Sequence, residues 1–265
     1  MDNHSQHTAD HATVSSSQYY MELSSDPKQV ISGKPAQLIF TPKIEGNPAV
    51  RVTLTTEHEK QLHIIIVSED LSYFEHIHPE LQSNGSYAIH HIFPAGGTYL
   101  IYADYKPIDA GQVVDNKTIH VAGNPVTPQM FRDEQLTASS GNYTLTLQTE
   151  EDKLITNQDI YITGILQENG REIDVNTIGN YLGTKAHAVI ISLESKSFLH
   201  VHPNVKNGRL QLHTFFKTPG IYRAWIQFQN EDSIYTTDYV LKVVMTPVPE
   251  KANSVHTHQD HTHHH

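Results

Sequence analysis

The chain has no cysteine among its 265 residues. That excludes disulfides, thiolate zinc sites, iron–sulfur clusters and blue-copper centres with a cysteine ligand. It leaves the compartment open. Basic residues are also few: 18 Lys and Arg stand against 29 Asp and Glu, for a formal net charge of −11. A phosphate backbone needs a basic face, so nucleic acid is not an expected partner. An acidic surface suits cations. No apolar run approaches the roughly 20 residues of a membrane span. There is no glycine-rich phosphate loop, no Gly-x-Ser-x-Gly elbow and no kinase signature. Carboxylates are plentiful, yet none stands beside an obvious base, so no enzymatic activity is expected. The polar start, Met1-Asp2-Asn3-His4-Ser5-Gln6-His7, carries no signal segment.

What is abundant is histidine, at 20 residues. His4, His7, His11, His256, His258, His261, His263, His264 and His265 lie in polar ends. Such tails suit low-affinity collection of Zn²⁺, Cu²⁺ or Ni²⁺, although the last three histidines also read as an affinity tag. The others include a repeated pattern. Phe74-Glu75-His76-Ile77-His78-Pro79 returns as Phe198-Leu199-His200-Val201-His202-Pro203. Each follows an apolar run that opens on a histidine, His63-Ile64-Ile65-Ile66-Val67-Ser68 and His187-Ala188-Val189-Ile190-Ile191-Ser192. The register is constant, since 187−63, 200−76 and 202−78 are all 124. Gly97-Thr98-Tyr99 recurs as Gly220-Ile221-Tyr222, and His90 and Phe93 recur as His213 and Phe216. This is a tandem duplication.

Short alternating segments separated by turn residues predict strands at Gln18–Ser24, Ala36–Thr41, Val50–Thr55, Leu62–Ser68, Tyr73–His78, Ser86–Phe93, Thr98–Tyr105 and Lys117–Val121. With no helical period, the fold class is all-β: two tandem β-sandwich domains of immunoglobulin-like or cupredoxin-like type. The expected boundaries are a disordered leader over 1–17, a first domain over 18–122, a linker over 123–140, a second domain over 141–246 and a His-rich tail over 247–265.

If Leu62–Ser68 and Tyr73–His78 pair about Asp70-Leu71, Ile65 faces His76 and His63 faces His78. Side chains two apart on a strand share a face, and opposed Cβ atoms lie about 5 Å apart. His63, His76 and His78 therefore converge, as do His187, His200 and His202 in the second repeat. Three imidazoles suit Cu²⁺ or Zn²⁺ and leave a fourth position. Asp104 is the candidate fourth ligand of the first site, and its counterpart Gln227 is a much poorer one. His90 and His213 are second choices. His58, His91 and His120 read as ordinary polar positions, and Tyr99, Tyr222 and Trp225 as aromatic core. Two other readings compete. In one, the histidines only satisfy buried backbone groups in an immunoglobulin-like cell-surface interaction module. In the other they belong to a cupin-type metalloenzyme, but Glu80 follows His78 too closely for that motif and Asn204 replaces it in the second copy.

The pattern His-(apolar)₄-Ser-x₅-Phe-x-His-x-His-Pro, with a Gly-x-Tyr strand and an Asp near its end, resembles bacterial exported proteins and lipoproteins that accompany copper or heavy-metal handling. The resemblance covers residues 62–105 and 186–228. It implies an extracytoplasmic β-sandwich protein with a metal role. The partners it implies are a metal ion and another metal-handling protein, with a lipid anchor absent from this sequence. The implied ligand positions are His63, His76, His78 and Asp104, then His187, His200 and His202.

Overall fold

The computed structural model describes residues 18–149 and 153–245; the leader, the tail and their histidines lie outside the described residues. The first repeat contributes β1 (Tyr19–Asp26), β2 (Pro35–Ile44), β3 (Leu62–Ser68), β4 (Phe74–Ile77), β5 (Glu80–Leu81), β6 (Tyr87–Ile92), β7 (Gly97–Tyr105) and β8 (Val113–Val121). The second contributes β9 (Thr137–Ser140), β10 (Tyr143–Thr149), β11 (Leu154–Ile155), β12 (Asp159–Glu168), β13 (Arg171–Glu172), β14 (Ala186–Ser192), β15 (Phe198–Val201), β16 (Asn204–Lys206), β17 (Arg209–Phe215), β18 (Gly220–Asn230) and β19 (Ser233–Val244). One 3₁₀ turn, Val175–Thr177, is the only helical element among the described residues. The protein is all-β and built of two repeated domains.

Each repeat is a two-sheet sandwich. In the first, the sheets run β1-β2-β6-β5 and β4-β3-β7-β8. In the second they run β16-β17-β12-β10-β9, with β13 on β12, and β11-β19-β18-β14-β15. Alternation explains the outer strands: β2 buries Leu38 and Phe40, which join Ile64, Ile66, Tyr99 and Ile101 in the first core. Leu145, Ile162, Ala188, Ile190, Tyr222 and Ile226 do the same in the second.

Two expectations change. Val50–Thr55 is not a sheet strand. It makes a single antiparallel bridge, Leu54 to Pro107, flanked by Thr55 N–H to Lys106 O and Ile108 N–H to Thr53 O. Its alternation is real, because Val52 and Leu54 fill the core, but the ladder goes no further. The segment read as linker also carries β9, where Ala138 opposes Leu145 of β10 and is buried with it.

β3 and β14 do not alternate; both are buried along almost their whole length. A strand reads as a continuous apolar run when both of its faces are covered. Here one face packs into the strand's own sandwich. The other packs on the opposite repeat: Ile65, Val67, Leu71 and Tyr102 form one cluster with Val189, Ile191, Phe198 and Trp225. Phe74 stacks on Trp225 with ring centroids 4.6 Å apart, and Tyr102 stacks on Phe198 at 4.9 Å. Phe74 and Phe198 are equivalent in the repeat, and so are Tyr102 and Trp225. The contact is therefore reciprocal, as in a two-fold interface between identical subunits.

Candidate metal centre

Parity on the strands places the histidines. Ile65 and Val67 face the opposite repeat, so His63, two residues earlier, faces it too. On β4, His76 is paired directly with Ile65, and Val189 with His200 in the second repeat. His78 and His202 follow on the same faces just past the strand ends, before Pro79 and Pro203. The hairpins thus have the register expected from the sequence, and each carries three imidazoles at its open end.

In the first cluster His63 Nδ1 lies 3.2 Å from His76 Nε2 and 3.2 Å from His78 Nε2, and these last two are 3.1 Å apart. In the second, His187 Nδ1 lies 3.3 Å from His200 Nε2. One ligand atom from each of His187, His200 and His202 falls within a 4.8 Å span, as in the first trio. Each trio could hold a metal ion. For the first, the near-equilateral triangle decides the fit. An ion about 2.0–2.1 Å from all three nitrogens subtends N–metal–N angles of roughly 100°, close to tetrahedral.

The other ring nitrogens fix the tautomers. His63 Nε2 is 3.1 Å from Glu57 O, and His187 Nε2 is 3.1 Å from Tyr181 O. A carbonyl only accepts, so both Nε2 atoms carry the proton and both Nδ1 atoms present lone pairs. His76 Nδ1 donates to Gln227 Oε1 at 2.9 Å, while Gln227 Nε2 donates to Thr236 Oγ1. His200 Nδ1 donates to Asp104 Oδ2 at 2.7 Å. Hence His76 Nε2 and His200 Nε2 are also bare. In both clusters two acceptor nitrogens face each other with no proton between them. His202 Nε2 is buried and has no hydrogen-bond partner.

Electrostatics agree with neutral rings. Burial pushes the pKa of His63, His76 and His200 down, and those of His78 and His187 down to about 3, with neighbouring imidazoles adding to the effect. His202 is lowered by burial and by His200. Burial raises Asp104, against a hydrogen bond from Gln112.

The two clusters are neighbours across the domain contact. The ring of His63 lies 6.2 Å from that of His187 and 5.6 Å from that of His200. Asp104 therefore does not sit where it was expected. Its carboxylate does not join His63, His76 and His78. It turns across the interface to His200, because β7 shows this face to the other repeat. Gln227 takes the same position toward His76. Each repeat braces the other's histidine.

His90 is exposed on β6, and His213 on β17 pairs with Asp159 at 2.8 Å, so both belong to outer sheets. His120 bonds Thr98, and His91 lies 3.9 Å from Glu75. His58, read as an ordinary polar position, stacks on His202 at 3.7 Å between ring centroids and lies edge-on to His187 at 5.5 Å. Tyr181 stands edge-on to His187 at 5.4 Å. The missed signal was the repeat itself: the Glu57–Lys60 turn corresponds to the Tyr181–Thr184 turn, and both bridge the same way.

A family model described as "Domain of unknown function (DUF8832)" matches residues 12–123 and again 137–245. The chain belongs to this family. The two matched segments coincide with the two sandwiches. A comparison with curated proteins finds no match. Among solved structures, similarity is found to the Escherichia coli adhesin FdeC, at 15% identity over 88% of this chain and 66% of that one, with a TM-score of 0.27. A Ca²⁺-stabilised ice-binding adhesin of an Antarctic bacterium matches at 8% identity over 88% and 50%, with a TM-score of 0.26. A trypsin-activated α2-macroglobulin from Escherichia coli matches at 11% identity over 87% and 16%, also at 0.26. The chain thus spans about two thirds or less of these structures.

Proposed function

We propose that this protein binds copper or zinc through the two three-histidine clusters and serves in buffering, sequestration or delivery of the metal, without catalysing a reaction. One observation carries the reading. In each cluster, hydrogen bonds on the far side of two rings leave two lone pairs 3.2 or 3.3 Å apart. Such an arrangement is repulsive unless a cation joins them or, in the first cluster, the proton of His78 sits on Nε2, 3.2 and 3.1 Å from the two nitrogens. Metal-binding histidines characteristically donate their second nitrogen to a carbonyl or carboxylate, as His63, His187 and His200 do. An extracytoplasmic setting, with the chain carried as a secreted, periplasmic or lipid-anchored protein, belongs to the same proposal, as does transfer to a second metal-handling protein.

The test is calorimetric titration of the full chain with Zn²⁺ and with Cu²⁺, beside His76→Ala and His200→Ala. Two ions per chain should bind more tightly than the tails do, and each substitution should remove one. Titrations unchanged by either substitution would leave the clusters as packing features and favour an interaction module.

A further inference from the structure

We propose that the two clusters are unequal: the second, His187, His200 and His202, is the tight, slowly exchanging site, and the first, His63, His76 and His78, is the weaker, exchangeable one. The inference rests on the metal-binding reading above and assigns different tasks to its two sites.

Two differences between the repeats point the same way, even though the closed triangle of nitrogens is formed in the first cluster and not in the second. The first is the group behind the ligand. His200 Nδ1 donates to a carboxylate, Asp104, at 2.7 Å, whereas His76 Nδ1 donates to an amide, Gln227, at 2.9 Å. Both acceptors are buried, with Asp104 4% exposed and Gln227 8%. A carboxylate makes the imidazole a stronger donor, and its negative charge lies next to the ion that His200 would bind. An amide supplies orientation without charge. Outer partners of this kind are typically worth about 10–100-fold in metal affinity. Asp104 is also paired in register with His63, so its charge reaches both clusters; what is specific to the second is the hydrogen bond to His200.

The second difference is the cover. His58 stacks on His202 at 3.7 Å with an interplanar angle of 29°. Its place in the matching turn of the second repeat is taken by Leu182; both residues have left-handed backbone, at φ 48° and 50°. His202 and His78 are the outermost ligands of their clusters. A ring lying flat on His202 holds that ligand and blocks its swing toward water. Leu182 offers no imidazole to the first cluster.

The two roles can be tested separately. Zn²⁺ is titrated into the full chain in competition with a chromophoric chelator, and release is followed after adding excess chelator. His76→Ala isolates the second cluster and His200→Ala the first. The second cluster should bind more tightly, by up to about 10-fold. Asp104→Asn, an isosteric loss of charge, should weaken the second cluster by about 10-fold and the first by clearly less, since the first loses only a neighbouring charge and no hydrogen bond to a ligand. Gln227→Glu should tighten the first. His58→Leu should speed release from the second cluster and not from the first. Thermal melts establish that each variant is folded; should Asp104→Asn fail to fold, Gln227→Glu and His58→Leu still decide. Equal affinities of the two isolated clusters, or equal effects of Asp104→Asn on both, would overturn the inference while leaving metal binding standing. Absence of Zn²⁺ binding by both isolated clusters would instead overturn the metal-binding reading.

Discussion

Phe74 of the first repeat lies flat against Trp225 of the second, 4.6 Å between centroids and 10° between planes. Trp225 is on β18, two residues before Gln227, and is paired with Val189 of β14. The ring therefore holds the repeats together immediately beside the residues that brace the histidines. Trp225→Ala removes the stack and leaves a cavity among Ile65, Val67, Val189 and Phe198. A loss of about 3–5 kcal/mol is expected, as for other buried Trp-to-Ala changes. Urea denaturation measures it, and a loss under about 1 kcal/mol would mean that the repeats do not rely on this contact.

Much of this arrangement was legible in the residues. The hairpin register followed from a turn at Asp70-Leu71, and the trios followed from strand parity. The docking of the repeats did not. A β-sandwich needs only one apolar face per strand, so Ile65 and Val67 were surplus to it, and the surplus was the available signal. Asp104 went to the wrong neighbour for the same reason. It is paired with His63 in the sheet, but the face they share looks onto His200. Val50–Thr55 misled because alternation records burial on one side, not ladder hydrogen bonds.

Metal should stabilise the fold, since both trios sit at the contact between repeats. A ligand that binds only the native state at 100 times its Kd adds about 2.7 kcal/mol per site. With the two repeats unfolding as one unit, each site raises Tm by roughly 5–10 °C. Zn²⁺ should produce the rise and EDTA should reverse it. The double substitution His76→Ala, His200→Ala should abolish the response; a rise that survives it would come from elsewhere in the chain.

Gly96 opens the turn into β7, where its N–H donates to Asn124 O. A Cβ at this position would meet Gly123 O at 2.2 Å and Gly123 C at 2.4 Å. Backbone cannot yield as a side-chain tip does. Gly96→Ala should therefore separate the start of β7 from the segment after β8, at a cost of about 1–3 kcal/mol. Its effect on Zn²⁺ affinity should be small, because the turn is at the far end of β7 from Asp104. A melt unchanged within 1 °C would contradict the close approach.

The metal-free protein should lose stability as pH falls below about 6.5. Histidine in the unfolded chain titrates near that value. In the folded chain, burial pushes His78 and His187 down to about 3, and lowers His63, His76, His200 and His202 as well. The unfolded state thus binds protons that the folded state refuses. The stabilisation is complete above the unfolded pKa and is lost progressively between pH 6.5 and about 3. Each such group contributes on the order of 1.4 kcal/mol per pH unit within its window. Asp104, raised by burial, acts with the opposite sign, but it is one group against six. Urea midpoints of EDTA-treated protein between pH 7.5 and 4.5 should fall steeply, and less so in His78→Gln and His187→Gln. A flat profile over that range would show that the clusters accept protons in the folded state, and would remove the argument that their lone pairs are held bare.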